Sequence, residues 1–110
     1  LLQRNKMRAT KESVLDYLRE LKVEFTKDGI VAFALFGSFA RDAQSVYSDI
    51  DIAISKQNDY LLHNSSYSYF ETVAKIKEKI RKKFHRNSDV FDLDSHSPFK
   101  ESIVKELIYV

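Results

Sequence analysis

Asp49 and Asp51 stand two residues apart within a run that also holds Ile50, Ile52, Ala53 and Ile54. Side chains alternate along an extended strand, so the two carboxylates share one face. Carboxylates paired in this way can hold a hard divalent cation, which prefers oxygen ligands. Upstream, Gly37-Ser38 closes the apolar run Ile30–Phe36. A glycine there lets backbone amides approach a phosphate, and the Ser38 hydroxyl and amide can donate to it. Taken singly, the Gly-Ser pair reads as an ordinary turn and the aspartates as a solvated strand edge. Together, a strand, a Gly-Ser turn, a short helix and a strand with two aspartates form a candidate nucleotide site.

Nucleotidyl transfer asks little covalent chemistry of a protein. It needs cations that clamp a triphosphate, hold the attacking oxygen in line and offset developing charge. Asp49 and Asp51 suit a first Mg²⁺ and a share in a second, and a third carboxylate from a neighbouring strand would complete the set. Asp92, within Val90-Phe91-Asp92-Leu93, is the choice for that third ligand, where it would also orient or deprotonate the nucleophile. Its rivals are Asp89, which falls beside the expected Asn87-Ser88 turn, and Asp94, on the same strand face as Asp92. Arg41 follows Ser38 by three residues, on the same side of a helical turn, where it can bind phosphate in bidentate fashion or form a surface salt bridge.

The elements that position these groups follow from periodicity. Thr10 to Phe25 reads as an amphipathic helix with Thr10 or Ser13 as cap and Val14, Leu15, Leu18, Leu21 and Phe25 on its inner face. After Asp28-Gly29, the seven apolar residues Ile30–Phe36 read as a strand buried on both faces. Ser38 to Asp42 forms one or two helical turns, Ala43 to Tyr47 a loop, and Ser48 to Ser55 the second strand. Lys56 to Ser68 reads as an exposed loop. Tyr69 to Phe84 is a helix with the stripe Phe70, Val73, Ile76, Ile80 and Phe84, and its basic face over Lys75 to Arg86 reads as solvated. Asp89 to Leu93 is a third strand, and Ser97-Pro98 caps and opens a last helix. Ile108-Tyr109-Val110 is expected to fold back or to pack on a partner. The order implies a small mixed sheet flanked by helices, an α/β (α+β) sandwich.

Composition sets the outer bounds. A chain of 110 residues suits one domain spanning 1–110, and 44% apolar residues can form a core without staples. Cysteine is absent, which excludes disulfides and thiolate metal sites and suits a reducing cytoplasm. The opening LLQRNKMRATKES has too short an apolar run for a secretory leader, and no stretch approaches the ~20 apolar residues of a membrane span. Met7 is an alternative start. Eighteen basic against sixteen acidic residues give a net charge of +2, which does not favour nucleic acid as a partner. His63, His85 and His96 have no spacing that suggests a shared metal.

Gly37-Ser38-Phe39-Ala40-Arg41, followed by Ser48-Asp49-Ile50-Asp51-Ile52, resembles the G-S-x-A-R…S-D-x-D signature of the DNA polymerase β-type nucleotidyltransferase superfamily. The length resembles its minimal members, the antitoxin halves of HEPN/MNT toxin–antitoxin pairs, over roughly Thr10 to Tyr109, with the Ser97-Pro98…Ile103…Glu106…Tyr109 tail included. The resemblance implies a polymerase β-like palm fold and metal ligands Asp49, Asp51 and Asp92. It places Gly37 and Ser38 on the triphosphate, with two Mg²⁺ ions and ATP as substrate. It further implies transfer of AMP to a tyrosine of a HEPN ribonuclease toxin. The Lys56–Ser68 loop is long for so small a member. Alternatives are an antitoxin that acts by occlusion with a vestigial or regulatory nucleotide pocket, and an aminoglycoside-type small-molecule enzyme, for which a homo-oligomer would have to supply the acceptor pocket.

Overall fold

The structure is a computed structural model that describes residues 8–110; Met7 and the rest of the opening segment before Arg8 lie outside the described residues. Thr10 opens α1 (Lys11–Phe25) through a capping box. Its Oγ1 accepts from the Ser13 N–H at 3.0 Å, and Ser13 Oγ accepts from the Thr10 N–H at 2.9 Å. These bonds occupy donors that a helix start otherwise leaves free. Val14, Leu18, Leu21 and Phe25 are buried, while Leu15 is only partly covered. A 3₁₀ turn over Thr26–Asp28 and Gly29 at φ +85° lead into β1 (Ile30–Phe36).

The remaining elements are α2 (Gly37–Ala40), β2 (Ile50–Lys56), α3 (Tyr60–His63), α4 (Ser66–Phe84), β3 (Ser88–Asp92), α5 (Lys100–Val104) and β4 (Ile108–Tyr109). The strands form one mixed sheet in the order β3-β2-β1-β4, with β2 parallel to β3 and β1 antiparallel to both β2 and β4. This is the flanked mixed sheet that the sequence implies.

Alternation sorts the sheet into two faces. Phe33 and Leu35 pair with Ile54 and Ile52, and these side chains form one fully buried core with Val14, Leu18 and Leu21 of α1 and Ile76 and Ile80 of α4. The opposite parity holds Phe36, paired with Asp51, and Asp51, paired with Asp89. Phe36 and Phe91 meet edge to face there, with ring centroids 6.4 Å apart.

Several boundaries differ from expectation. The helix expected from Tyr69 begins at Ser66, capped by Ser65 Oγ, which accepts from the Ser68 N–H at 3.1 Å. Its inner face holds Tyr69 and Thr72, whereas Phe70 is 66% exposed. The Lys56–Ser68 segment is not simply an exposed loop. It holds α3, and Tyr60 is buried against Tyr69, close enough to Gly29 that a Cβ there would lie 2.7 Å from the ring. Ser97 accepts from the Phe99 N–H at 3.2 Å within a turn, and the last helix starts only at Lys100. Ile108-Tyr109 folds back as an edge strand on Leu35 and Ala34.

Candidate active site

Phe36 is extended, and Gly37 then turns at φ +75°. That backbone region strongly favours glycine. Space enforces the choice too, because a Cβ on Gly37 would overlap Asp51 Oδ2 and lie 2.9 Å from its Cγ. The turn thus sits directly on the second aspartate. Ser38 follows, half-buried, and Phe39 is fully buried and anchors the short helix. Arg41 ends it, and its charge acts on Asp51.

Asp49 is exposed and precedes β2, while Asp51 lies within it, half-buried. The parallel register sets Asp89 beside Asp51, close enough for its charge to act on the Asp51 carboxyl. The Asp51 carboxyl is pushed up to about 6, first by burial, then by the neighbouring charge of Asp89, then by Asp49; Arg41 pulls it back only in part. Crowded acids in a half-buried setting hold a proton or call for a cation. The face is open, and among the described residues no three His, Asp or Glu side chains form a preformed cage. Its donor chemistry, carboxylate oxygens from two adjacent strands, nevertheless fits a hard divalent ion.

The structure therefore brings together Gly37, Ser38, Arg41, Asp49 and Asp51, and adds Asp89. It does not bring Asp92 to them. Asp92 pairs with Ile54 three residues along β3, so alternation turns it to the helix-covered face. There its Oδ2 accepts from Lys56 Nζ at 2.8 Å, and its charge acts on the Tyr69 phenol. Asp94 completes this cluster by accepting from the Lys56 N–H and from the Ser55 hydroxyl, both at 2.8 Å. Burial pulls the Lys56 ammonium down, but its bonds to Asp92 and Asp94 outweigh that and hold it above its ordinary value. Burial, followed by the Asp92 charge, raises the Tyr69 phenol. Asp92 thus belongs to an ion-paired cluster centred on Lys56, farther along the strands.

Glu106 was not among the sequence candidates. Its Oε1 accepts from the Gly37 N–H at 3.2 Å and from Arg41 Nη1 at 2.7 Å. The tail carries it there because β4 pairs with β1 immediately beside the glycine turn.

The family described as polymerase beta, nucleotidyltransferase matches residues 19–110. A Methanocaldococcus jannaschii protein, MJ1379, that carries the name of a protein adenylyltransferase is 33% identical over 91 residues, covering 81% of this chain and 85% of its own length. Among solved structures, one described as a minimal nucleotidyltransferase superposes with a TM-score of 0.68 at 18% identity, over 91% of this chain and 95% of its own. Another, a toxin–antitoxin complex with AMP-PNP, superposes with a TM-score of 0.55 at 22% identity, over 79% of this chain and 67% of its own.

Proposed function

Because the chain belongs to the polymerase β-type nucleotidyltransferase family, we propose that it transfers AMP from ATP to a tyrosine of a partner toxin of the HEPN ribonuclease type. The observation that carries this reading is the convergence of Gly37 on Asp51 and of Asp51 on Asp89, since it puts the glycine turn against a carboxylate face. The name of the archaeal relative and the toxin–antitoxin likeness support a protein acceptor.

Asp49, Asp51 and Asp89 are the groups that would hold Mg²⁺, in place of the Asp49, Asp51 and Asp92 set expected from the sequence. Bound there, Mg²⁺ supplies charge neutralisation for the triphosphate and the leaving group. The chain's own residues do the rest. The Gly37 and Ser38 amides and the Ser38 hydroxyl face the phosphates, and Arg41 adds a guanidinium once Glu106 releases it. Asp89, beside Asp51 in the parallel register, would accept the proton of an incoming hydroxyl. The acceptor oxygen bonds to the α-phosphorus, the α–β P–O bond breaks, and pyrophosphate leaves. The two-strand base and the buried Phe39 keep these groups fixed, which supplies orientation.

The test is incubation of the chain with α-labelled ATP, Mg²⁺ and the protein encoded beside it. Label on a tyrosine of that neighbour, lost with Asp51→Asn, is the expected result. A neighbour left unlabelled by the wild-type chain, while neutralisation of the toxin persists in Asp51→Asn, would instead establish action by occlusion.

A further inference from the structure

The three segments that carry the site come from distant parts of the chain, and one guanidinium touches two of them and borders the third. Arg86 Nη1 donates to the Ser45 carbonyl at 3.0 Å and to the Ser48 carbonyl at 2.7 Å. These carbonyls bracket the turn that delivers Asp49. Within the turn, the Ser45 N–H donates to Ser48 Oγ at 2.9 Å and the Tyr47 N–H to Ser45 Oγ at 3.2 Å, so Arg86 binds a loop already closed on itself. On its other side the guanidinium carbon lies 5.2 Å from the centroid of the Phe39 ring, the buried anchor of the Gly37-Ser38 turn. Arg86 itself follows the left-handed cap His85 (φ 56°) and precedes Asp89 by three residues.

We propose that Arg86 is a positioning residue that holds the Gly37-Ser38 turn, the Asp49–Asp51 segment and the start of β3 in one fixed arrangement. Asp49 needs such support because it lies before the first paired residue of β2, outside the sheet ladder. The nearest ladder-like tie is the Ile50 N–H donating to the Asn87 carbonyl at 3.0 Å, in the same connection that Arg86 occupies. Arginine suits the task because the two N–H groups of Nη1 reach both carbonyls while the planar guanidinium lies against an aromatic ring. Arg86 touches neither nucleotide nor cation. It acts through the backbone of Ser45–Ser48, and it has this role only if Asp49, Asp51 and Asp89 form the cation-holding face.

The test uses Arg86→Ala and Arg86→Lys, with Asp51→Asn as control. Mn²⁺ titration of the nucleotide-free chain should show affinity falling by at least about tenfold in Arg86→Ala, as for loss of an outer support of a metal site, with partial recovery in Arg86→Lys. Amide hydrogen exchange of the metal-free chain should rise over residues 45–50 while α1 and the centre of α4 stay protected. The turnover number should fall more than the KM for ATP rises. Arg86→Ala with unchanged Mn²⁺ affinity and unchanged exchange over 45–50 overturns the role, as does a uniform rise in exchange across the whole sheet. If Asp51→Asn binds Mn²⁺ as tightly as the wild type, the cation-holding face itself is wrong, a separate failure.

Discussion

Replacing Gly37 with alanine tests the contact on which the site geometry depends. Holding a residue with a Cβ at φ +75° costs about 1–2 kcal/mol. The new methyl overlaps the Asp51 carboxylate, so that side chain must leave its rotamer or the turn must shift, at a further cost of about 0.5–1.5 kcal/mol. The sum, about 1.5–3.5 kcal/mol, corresponds to a fall in melting temperature of roughly 6–15 °C for a domain of this size. Because Asp51 moves, turnover should fall by about a hundredfold in the protein that remains folded. Calorimetry of the single and double variants separates the two costs. In an Asp51→Ala background the overlap with the carboxylate is gone, so Gly37→Ala should cost less there by about 1 kcal/mol, a coupling that a double-mutant cycle reads directly. A Gly37→Ala protein that melts within about 2 °C of the wild type, or one whose penalty is the same in both backgrounds, would refute the reasoning.

Glu106→Gln removes the charge on the Gly37 amide and Arg41. Both ion-pair side chains are substantially exposed, so stability should change by less than about 1 kcal/mol, while ATP affinity measured by calorimetry rises about three- to tenfold; weaker binding would mean that Glu106 organises the turn. Asp51, at about 6 when folded against 3.8 ordinarily, holds its proton more tightly in the folded chain. Its contribution is therefore fully present below pH ~4 and is lost as pH rises through about 6. Asp51→Asn should flatten that decline in metal-free melts, and the thermal shift given by Mg²⁺ should be larger at pH 8 than at pH 5. Lys56→Met should destabilise by about 1–3 kcal/mol, because Asp92 and Asp94 lose their partner, yet leave the Mn²⁺ affinity of the folded protein unchanged.

Local chemistry in the sequence carried much of this structure. The Thr10 cap, the helical spacing of α1 and the apolar run of β1 each act within a few residues and appear where expected, although Ser13 joins Thr10 in a reciprocal box rather than replacing it, and β1 is not buried throughout, since Val31 is exposed. The Gly37-Ser38 turn and the closeness of Asp49 to Asp51 follow from local chemistry too, but the strand expected from Ser48 begins only at Ile50, so Asp49 lies just before β2 rather than on its face. Asp89 was not, because its place depends on a parallel register with β2, and no local pattern encodes which residues of two distant strands lie opposite each other. One signal was available. Asp89 and Asp92 are three residues apart, so they must face opposite ways, and only one can join the open face. Treating Asn87-Ser88 as a turn hid that Ser88 already begins the strand. Glu106 was missed, and β4 was foreseen only as a tail that folds back or meets a partner, because a two-residue edge strand has no period and its pairing is set by β1.

The most direct measurement compares Asp89→Asn with Asp92→Asn in the labelled-ATP transfer assay, each checked for folding by its melting curve. Asp89→Asn should remain folded and lose transfer, while Asp92→Asn should be less stable and still transfer the label. Transfer retained in Asp89→Asn but abolished in a folded Asp92→Asn protein would contradict the account.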